Sequence, residues 1–429
     1  MSHIEAFGAI RYTTPEVSNL IAPPYDVLSE ADKKLLLSKD DHNIVAIDLP
    51  HVPPKSAGPD SAYEQAAGEL TSWLDIRALA RDPAPAIYVY HQVYKHVGRG
   101  LTRKMFFCRL RLEPFGSGSV FAHEETFGGP KEDRLKLTMA TRCNLSPIFG
   151  LYPDPTNELS QVLDGEINRE PDQSGVLEGI QNKLWVVTDD LAIERAQQIM
   201  SQRPIFIADG HHRYSTALMF RQHQAEHYLE PAPDDPINFV LAVLCSMEDP
   251  GALIQPYFRT IVDLPTLTSA KLRELTGETF QWTAIPKPAS AEELARRFVD
   301  ADSQSFALYF ADEKACSILT PAKPDLLARL EPKRSPAWRG LAYAVFHRYL
   351  IDEVIRPALS PAAPVSLHYH KNMQEAIADA QAESGVAVLP PAVSMSQLKD
   401  VCMAGELMPQ KSTYFHPKLA TGLVINPLY

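Results

Sequence analysis

The segment that most constrains the fold of this chain is residues 205–220, with the sequence IFIADGHHRYSTALMF. Its first four residues are a short apolar run after Pro204, which is the pattern of a buried strand. Asp209 to Arg213 form a polar turn, and apolar residues then recur at helical spacing from Tyr214 onwards. The sequence therefore predicts a strand, a tight glycine turn and the start of a helix.

This predicted turn has the chemistry of an anion-binding site. The first N–H groups of a helix point at whatever lies on the turn, and the helix dipole favours negative charge there. Around Gly210, the imidazoles of His211 and His212 and the guanidinium of Arg213 crowd the same point. Arginine is permanently charged and forks well onto phosphate oxygens. Phosphate or nucleotide binding is favoured over a metal pair or a capped helix with chance histidines, since no CxxC or HExxH lies nearby.

Composition sets the class of protein. The chain has 429 residues, 45% of them apolar and 22% charged, which is typical of a globular protein with two or three domains. A net charge of -12 opposes nucleic acid or an anionic membrane as partner, and no apolar run reaches the length of a membrane span. The five cysteines are scattered and no signal-peptide core begins the sequence, so we expect a cytoplasmic protein without a disulfide framework.

Two acidic segments carry candidate ligands, each with a structural alternative. Tyr25 and Asp26 lie on a loop stiffened by two prolines, where Asp26 holds a substrate amine or a metal, or simply caps the turn. Glu124 and Glu125 follow His123, and such a pair binds Mg²⁺ or removes a proton from a hydroxyl, or else forms a solvated acidic turn.

Two basic segments likewise have both a functional and a structural interpretation. Arg134 and the nearby Lys131 either meet phosphate or begin an exposed helix. Lys411, Ser412 and Thr413 form a polar turn before an aromatic strand, but no GxxxxGK[ST] precedes them and they are not a P-loop. Lys411 either contacts a ligand or is a capping residue at the protein surface.

The periodicity of the remaining chain predicts an α/β protein with a mixed sheet. Residues 86–93 and 101–112 alternate as the two strands of a hairpin, and residues 238–245, NFVLAVLC, are apolar throughout, as in an interior strand. Residues 42–49 are also strand-like, whereas residues 341–354 have the pattern of a buried helix. Towards the C-terminus, residues 365–389 have the order strand, helix, strand.

Five motifs occur in order across almost the whole chain, and together they resemble the family called domain of unknown function 1015. They are PPYDV at 23–27, HEET at 123–126, SPIF at 146–149, DGHHRYSTAL at 209–218 and KSTYFHPKL at 411–419. The DGHHR element also resembles the phosphate-binding turn of the ParB/sulfiredoxin-like superfamily, which includes free-serine kinases. One departure stands at Tyr257 and Phe258, where the resemblance leads us to expect Thr and His.

This resemblance implies a domain layout. Residues 1–262 would form a ParB/sulfiredoxin-like nucleotide-binding core with an inserted hairpin region at about 60–160. Residues 263–429 would form a C-terminal α/β domain that completes the site with the KST segment. The resemblance also implies a kinase that transfers a phosphoryl group from ATP or ADP, with Mg²⁺, to the hydroxyl of a free amino acid, L-serine being favoured. It is compatible with a homodimer.

The resemblance implies a role for each candidate residue of this sequence. The implied catalytic residues are Glu124, Asp209 and His212, and the implied metal ligands are Asp209 and Glu124. The nucleotide would be bound by Gly210, His211, His212, Arg213, Lys411, Ser412 and Thr413, and the substrate by Tyr25, Asp26 and Arg134. Two other functions remain open: a regulatory module that binds a nucleotide or a phosphorylated metabolite without transfer, and a phosphate-ester hydrolase.

Overall fold

The computed structural model describes residues 2–53, 56–116, 118–125, 128–228, 230–298 and 303–429. It is a mixed α/β protein with two compact units. The first comprises residues 1–253 and the final segment 417–429, and the second comprises residues 254–416. A division into domains at residue 262 remains a prediction.

The first unit is organised on a mixed sheet, to which the described residues contribute nine strands. The strands of this unit are β1 Ile4–Glu5, β2 Ile10–Tyr12, β3 Leu79–Arg81, β4 Ile87–His96, β5 Arg99–Arg111, β6 Val120–Phe121, β7 Cys143–Asn144, β8 Ile148–Tyr152, β9 Gln173–Leu177, β10 Ile180–Val187, β11 Ile205–Asp209, β12 Phe239–Ser246 and β21 Asn426–Pro427. The order of the large sheet is β6-β11-β8-β12-β5-β4-β10-β9, and β1 pairs with β5.

Helices flank this sheet and carry part of the core. Tyr214 and Ala217 pack in the same apolar cluster as the sheet residues Ile148 and Ile207. The helices of the unit are α1 Glu30–Leu37, α2 Val45–Asp48, α3 Asp60–Asp75, α4 Gly128–Thr141, α5 Glu158–Glu166, α6 Asp190–Met200 and α7 His211–His227, with short 3₁₀ turns at Tyr25–Val27 and Pro236–Asn238.

The predicted interior strand and the predicted hairpin are both confirmed in this unit. The apolar run NFVLAVLC forms most of β12, whose eight residues are all buried between β8 and β5. The predicted hairpin is the antiparallel pair β4 and β5. These two strands, which fall within the predicted insertion at about 60–160, lie in the interior of the large sheet.

The strand predicted at residues 42–49 is wrong. This segment contains the short helix α2, and the backbone N–H of its first residue, Val45, donates to the side-chain oxygen of Asn43 at 3.0 Å. A local side-chain bond of this kind competes with strand pairing, and a short apolar run does not by itself distinguish a strand from a helix. The change matters because α2 ends at Asp48, a residue of the candidate site.

The second unit has its own sheet of six strands within the described residues, in the order β15-β17-β16-β19-β14-β18. Residues 341–354 are helical, as predicted, but most of that segment is a π-helix, Val345–Ile355. The strands of this part of the chain are β13 Leu253–Gln255, β14 Phe258–Val262, β15 Phe280–Ile285, β16 Phe306–Phe310, β17 Ala315–Pro321, β18 Ser366–His370, β19 Val386–Leu389 and β20 Tyr414–His416. The helices are α8 Ser269–Thr276, α9 Ala291–Arg297, α10 Pro336–Arg339, α11 Ala342–Ala344, α12 Arg356–Leu359, α13 Met373–Ala382 and α14 Met395–Met403, with a 3₁₀ turn at Gly277–Thr279.

Candidate functional site

Three of the sequence motifs meet at one edge of the large sheet. Strands β6 and β11 are parallel, so the HEE segment that follows β6 and the DGHHR turn that ends β11 leave the sheet on the same side. Strand β8 is antiparallel to β11, and therefore its first residues, preceded by Ser146 and Pro147, lie at that edge too. Thr126, the last residue of the HEET motif, lies outside the described residues.

The turn itself requires glycine. Gly210 has a φ of 90°, a left-handed conformation that side chains disfavour, and it immediately precedes α7. A Cβ atom at this position would lie 3.1 Å from the Cα of Ile148 and 3.1 Å from Nε of Arg213. Glycine therefore lets the chain pass from strand to helix without the strain that any side chain would introduce here. The first turn of α7 then presents N–H groups that lack partners within the helix, as the sequence predicts.

Asp209 lies between two cations. Its Oδ2 is 3.3 Å from Nη2 of Arg213 and 3.2 Å from Nζ of Lys418. Burial alone would raise the pKa of Asp209, but the charges of Lys418 and Arg213 outweigh it and hold that pKa well below its usual range. Asp209 is therefore an ionised carboxylate at any pH near neutrality.

Lys418 was absent from the site predicted from sequence, although it belongs to the KSTYFHPKL motif. Buried side chains fix the backbone on which it lies: Nη2 of Arg103 donates to the carbonyl of Pro417 at 2.6 Å, and Nε2 of Gln92 donates to the carbonyl of Lys418 at 3.0 Å. Arg103 is fully buried, and its guanidinium lies 4.9 Å from the ring centroid of Phe149. These contacts aim Lys418 at Asp209.

Two histidines link the HEE segment to the turn. The backbone N–H of His123 donates to Nε2 of His211 at 3.3 Å, and Nδ1 of His123 donates to the carbonyl of Ile207 at 2.7 Å. Burial, followed by the neighbouring His123, lowers the pKa of His211 well below its ordinary value, so its ring is neutral. His211 thus holds the HEE backbone beside the turn, and Glu124 follows that contact by one residue. His212 lies half-buried on the first turn of α7.

Two of the predicted substrate residues, Tyr25 and Arg134, belong to a second polar group in the same unit. The guanidinium of Arg134 lies 3.8 Å from the ring centroid of Tyr25 and pairs with Asp133 at 2.6 Å. Its Nη1 also donates to the carbonyl of Asp48 at 2.6 Å. The hydroxyl of Ser146 donates to the carboxylate of Asp48 at 2.7 Å, which connects this group to the sheet edge. Sequence reasoning missed Asp48 because its segment was interpreted as a strand.

Lys411, Ser412 and Thr413 belong to the second unit. The buried guanidinium of Arg259 donates to the carbonyls of Gln410 and Lys411 at 3.1 and 2.9 Å and so fixes this turn, in which Lys411 has a φ of 56°. Nζ of Lys411 lies 5.7 Å from the ring centroid of Tyr257, the residue that stands where Thr was expected. A role for these three residues at the nucleotide remains a prediction.

The family model described as Protein of unknown function (DUF1015) matches residues 4–343. The chain belongs to the DUF1015 family. A search of curated protein sequences gave no match to this DUF1015 chain. No helix in the described part of the chain combines the length and the apolar character needed to cross a membrane.

Three solved structures are similar to the chain in part. One is a mutant free serine kinase in complex with ADP, with 12% identity, 71% of this chain and 89% of that chain covered, and a TM-score of 0.33. SbnI with C-terminal truncation from Staphylococcus aureus has 13% identity, coverage of 72% and 84%, and a TM-score of 0.34. A conserved hypothetical protein from Pyrococcus furiosus has 15% identity, coverage of 71% and 92%, and a TM-score of 0.31.

Proposed function

We propose that this chain is a nucleotide-dependent phosphotransferase that moves a phosphoryl group from ATP or ADP to the hydroxyl of a free amino acid, with L-serine as the favoured acceptor. The observation that carries the proposal is the turn at Gly210. It joins a strand to a helix N-terminus in a left-handed conformation and lies directly beside an ionised Asp209 held by two cations. Phosphoryl transfer depends mainly on positioning and on charge neutralisation, and this arrangement supports both.

The nucleotide phosphates would bind at the first turn of α7. Backbone N–H groups there, with His212 at the helix surface, would donate to phosphate oxygens. Arg213 donates to the carbonyl of Pro147 and to Asp209, so its positive charge is fixed next to the turn rather than mobile. Fixed charge of this kind is what stabilises a transition state without reorganisation.

We propose Asp209 as the protein ligand of a magnesium ion that would also bind the nucleotide phosphates, which leaves Glu124 to act as the base. Both ion pairs of Asp209 use Oδ2, and Oδ1 enters no ion pair or hydrogen bond found among the described residues. The described residues contain no group of three or more His, Cys, Asp or Glu side chains able to hold a metal. Mg²⁺ commonly takes only one or two carboxylates and obtains its other ligands from phosphates and water, and when bound it neutralises phosphate charge.

Glu124 is the proposed general base. Its carboxylate would accept the proton of the acceptor hydroxyl while the bond from that oxygen to phosphorus forms and the bond to the nucleotide's bridging oxygen breaks. The contact between His123 and His211 sets the distance of this segment from the turn. Glu124 is half-buried, whereas its neighbour Glu125 is exposed, which gives a matched pair for testing.

The test uses the full chain with Mg²⁺, either ATP or ADP, and a panel of free amino acids, with phosphoserine measured by mass spectrometry. We expect Glu124→Gln to abolish product while the nucleotide dissociation constant is unchanged, and Glu125→Gln to retain both. If the protein binds nucleotide but forms no product with any donor, the kinase proposal is wrong and the alternative of a binding module remains. Release of inorganic phosphate from phosphate esters without an acceptor would instead indicate a hydrolase.

A further inference from the structure

The guanidinium of Arg213 is held at the turn by two protein contacts. Its Nη2 lies 3.3 Å from Oδ2 of Asp209, and its Nη1 donates to the carbonyl of Pro147, the residue before β8. The side chain of Arg213 is 10% exposed, and its place therefore depends on protein groups rather than on solvent. One of these groups, the carbonyl of Pro147, belongs to the SPIF motif, to which the proposed function assigns no role.

Ser146 and Pro147 form a stiff step of the backbone. The ring of a proline fixes its φ at about −65° and restricts the residue before it to extended conformations. Because the two residues have so little freedom, a displacement of Ser146 moves the carbonyl of Pro147. Ser146 is 7% exposed, and its hydroxyl donates to Oδ2 of Asp48 at 2.7 Å. This hydrogen bond therefore anchors the carbonyl that contacts Arg213.

Asp48 is a fixed point because partners outside the turn hold it. It lies at the end of α2 and is 4% exposed. Its Oδ1 is 3.3 Å from Nη1 of Arg134, which also donates to the carbonyl of Asp48 at 2.6 Å. Arg134 in turn pairs with Asp133 at 2.6 Å, and Asp133 accepts from the hydroxyl of Tyr63 at 2.7 Å. The anchor of Ser146 thus rests on α2, α3 and α4, whereas the DGHHR motif lies on β11 and α7.

Stability alone is a weak reason for burying these charges. Apolar side chains of similar volume often replace a buried ion pair without loss of stability, because desolvation cancels much of the attraction between the charges. A network of hydrogen bonds does specify geometry, since each bond allows only a narrow range of distance and angle. This network ends at Ser146, one residue before the carbonyl that contacts Arg213. The geometry that it specifies is therefore that of the site.

We propose that Ser146, anchored by the carboxylate of Asp48, is a positioning residue for the guanidinium of Arg213. Its hydroxyl acts through the carbonyl of Pro147 and touches neither nucleotide nor acceptor. This inference rests on the proposed function for the task of Arg213, which is to stabilise the charge on the phosphoryl group during transfer. It gives the SPIF motif a role in that task.

A positioning role predicts that kcat and KM respond differently. The nucleotide phosphates would bind mainly at the backbone N–H groups of α7, which a change at Ser146 leaves in place. A displaced guanidinium loses its effect chiefly in the transition state, where the charge on the phosphoryl group is redistributed. Loss of the Ser146 hydroxyl should therefore lower kcat and leave KM and the nucleotide dissociation constant nearly unchanged.

The experiment measures phosphoserine formation by the full chain with Mg²⁺, the nucleotide donor and L-serine. We expect Ser146→Ala to lower kcat about tenfold to a hundredfold, the effect of misplacing a group by about 1 Å. KM and the nucleotide dissociation constant should change by less than about twofold. Ser146→Thr restores the hydroxyl and should recover kcat. The control is Thr141→Val, which removes a buried hydroxyl that donates to the carbonyl of Leu137 within α4 at 2.8 Å and should leave kcat unchanged.

A second measurement needs no turnover. The ¹⁵N NMR signal of the Nε–H group of Arg213, assigned by its loss in Arg213→Lys, reports the place of the guanidinium in the protein without ligands. We expect this signal to shift and broaden in Ser146→Ala, to return in Ser146→Thr and to be unchanged in Thr141→Val.

The two measurements separate this inference from the proposed function. If wild type forms phosphoserine and Ser146→Ala has the same kcat, the positioning role is wrong and the kinase remains. If kcat falls together with nucleotide affinity and the urea denaturation midpoint, Ser146 has only a structural role and the inference is also wrong. If wild type forms no phosphoserine, the kinase is wrong, and the Arg213 signal alone decides: no change in Ser146→Ala overturns the positioning role, and a shift supports it.

Discussion

Replacing Lys418 by methionine tests whether the C-terminal segment supplies the charge that keeps Asp209 ionised. Nζ and Oδ2 are 3.2 Å apart, and the two side chains are 20% and 22% exposed. Their attraction is about 5 kcal/mol at an effective dielectric constant of about 20. Desolvation and the remaining contact to Arg213 offset most of it, so we expect the free energy of unfolding to fall by about 1.5–3 kcal/mol, as for hydrogen bonds to charged groups. Methionine keeps the apolar stem and isolates the charge.

The matched control is Lys104→Met. Lys104 pairs with Asp164 at 2.5 Å, but these side chains are 41% and 39% exposed. Solvent screens such a pair, and we expect its loss to cost at most about 1 kcal/mol. Urea denaturation at pH 7 measures both variants, and nucleotide titration of the same samples should show weaker binding for Lys418→Met alone.

The pH dependence of the free energy of unfolding gives the measurement that could refute this reasoning about Lys418 and Asp209. Because the pKa of Asp209 in the folded state lies below the value of about 3.9 in the unfolded chain, its contribution to stability is present above that value and is lost as the pH falls towards the folded pKa. Without Lys418 that pKa rises, so the stability difference between wild type and Lys418→Met should shrink as the pH falls through the higher folded-state pKa of the variant, because the unfolded-state pKa is common to both proteins. Equal losses in the two lysine variants, or a difference independent of pH, would refute the reasoning.

Three further predictions concern neighbouring features. Gly210→Ala should lower the free energy of unfolding by about 1–3 kcal/mol, because it forces a side chain into a left-handed conformation, and should weaken nucleotide binding; an unchanged denaturation midpoint contradicts this. Arg103→Met leaves the carbonyl of Pro417 without its buried donor and should cost about 1–3 kcal/mol, with intact stability as the contrary result. Burial, followed by the charge of Arg259, lowers the pKa of His347 to about 3, so the free energy of unfolding decreases as the pH falls from about 6.5 towards 3. In His347→Gln the free energy of unfolding should therefore fall less steeply with decreasing pH, and equal slopes for variant and wild type would exclude this cause.

Local patterns were sufficient to predict the turn and much of the sheet. The apolar run, the glycine and the helical spacing after it are all contained in one short segment, so β11 and the presence of a following helix could be predicted from residues 205–220. The predicted polar turn at residues 209–213 was too long, because α7 already begins at His211 and only Gly210 separates it from the strand. The interior position of β12 was likewise predicted from an unbroken apolar run. These features depend on neighbours in sequence, which is the information that a single sequence carries.

The parts that were missed depend on contacts between distant residues. Lys418 reaches Asp209 only because Arg103 and Gln92 fix the last segment of the chain, and no local pattern records that pairing. Asp48 enters the candidate site through a helix whose short apolar sequence also suits a strand. In both cases tertiary contacts decide which charged side chain completes the site.

The final segment of the first unit, Pro417–Tyr429, is separated in sequence from the rest of that unit by all of residues 254–416. At about 5–20 residues per second, a ribosome exposes Asp209 about 10–40 s before Lys418. During that interval the carboxylate has Arg213 but lacks its second cation. The electrostatic character of the turn is therefore acquired late in translation, and a nascent chain that stalls before residue 418 would carry the motif without the full charge arrangement that the motif needs.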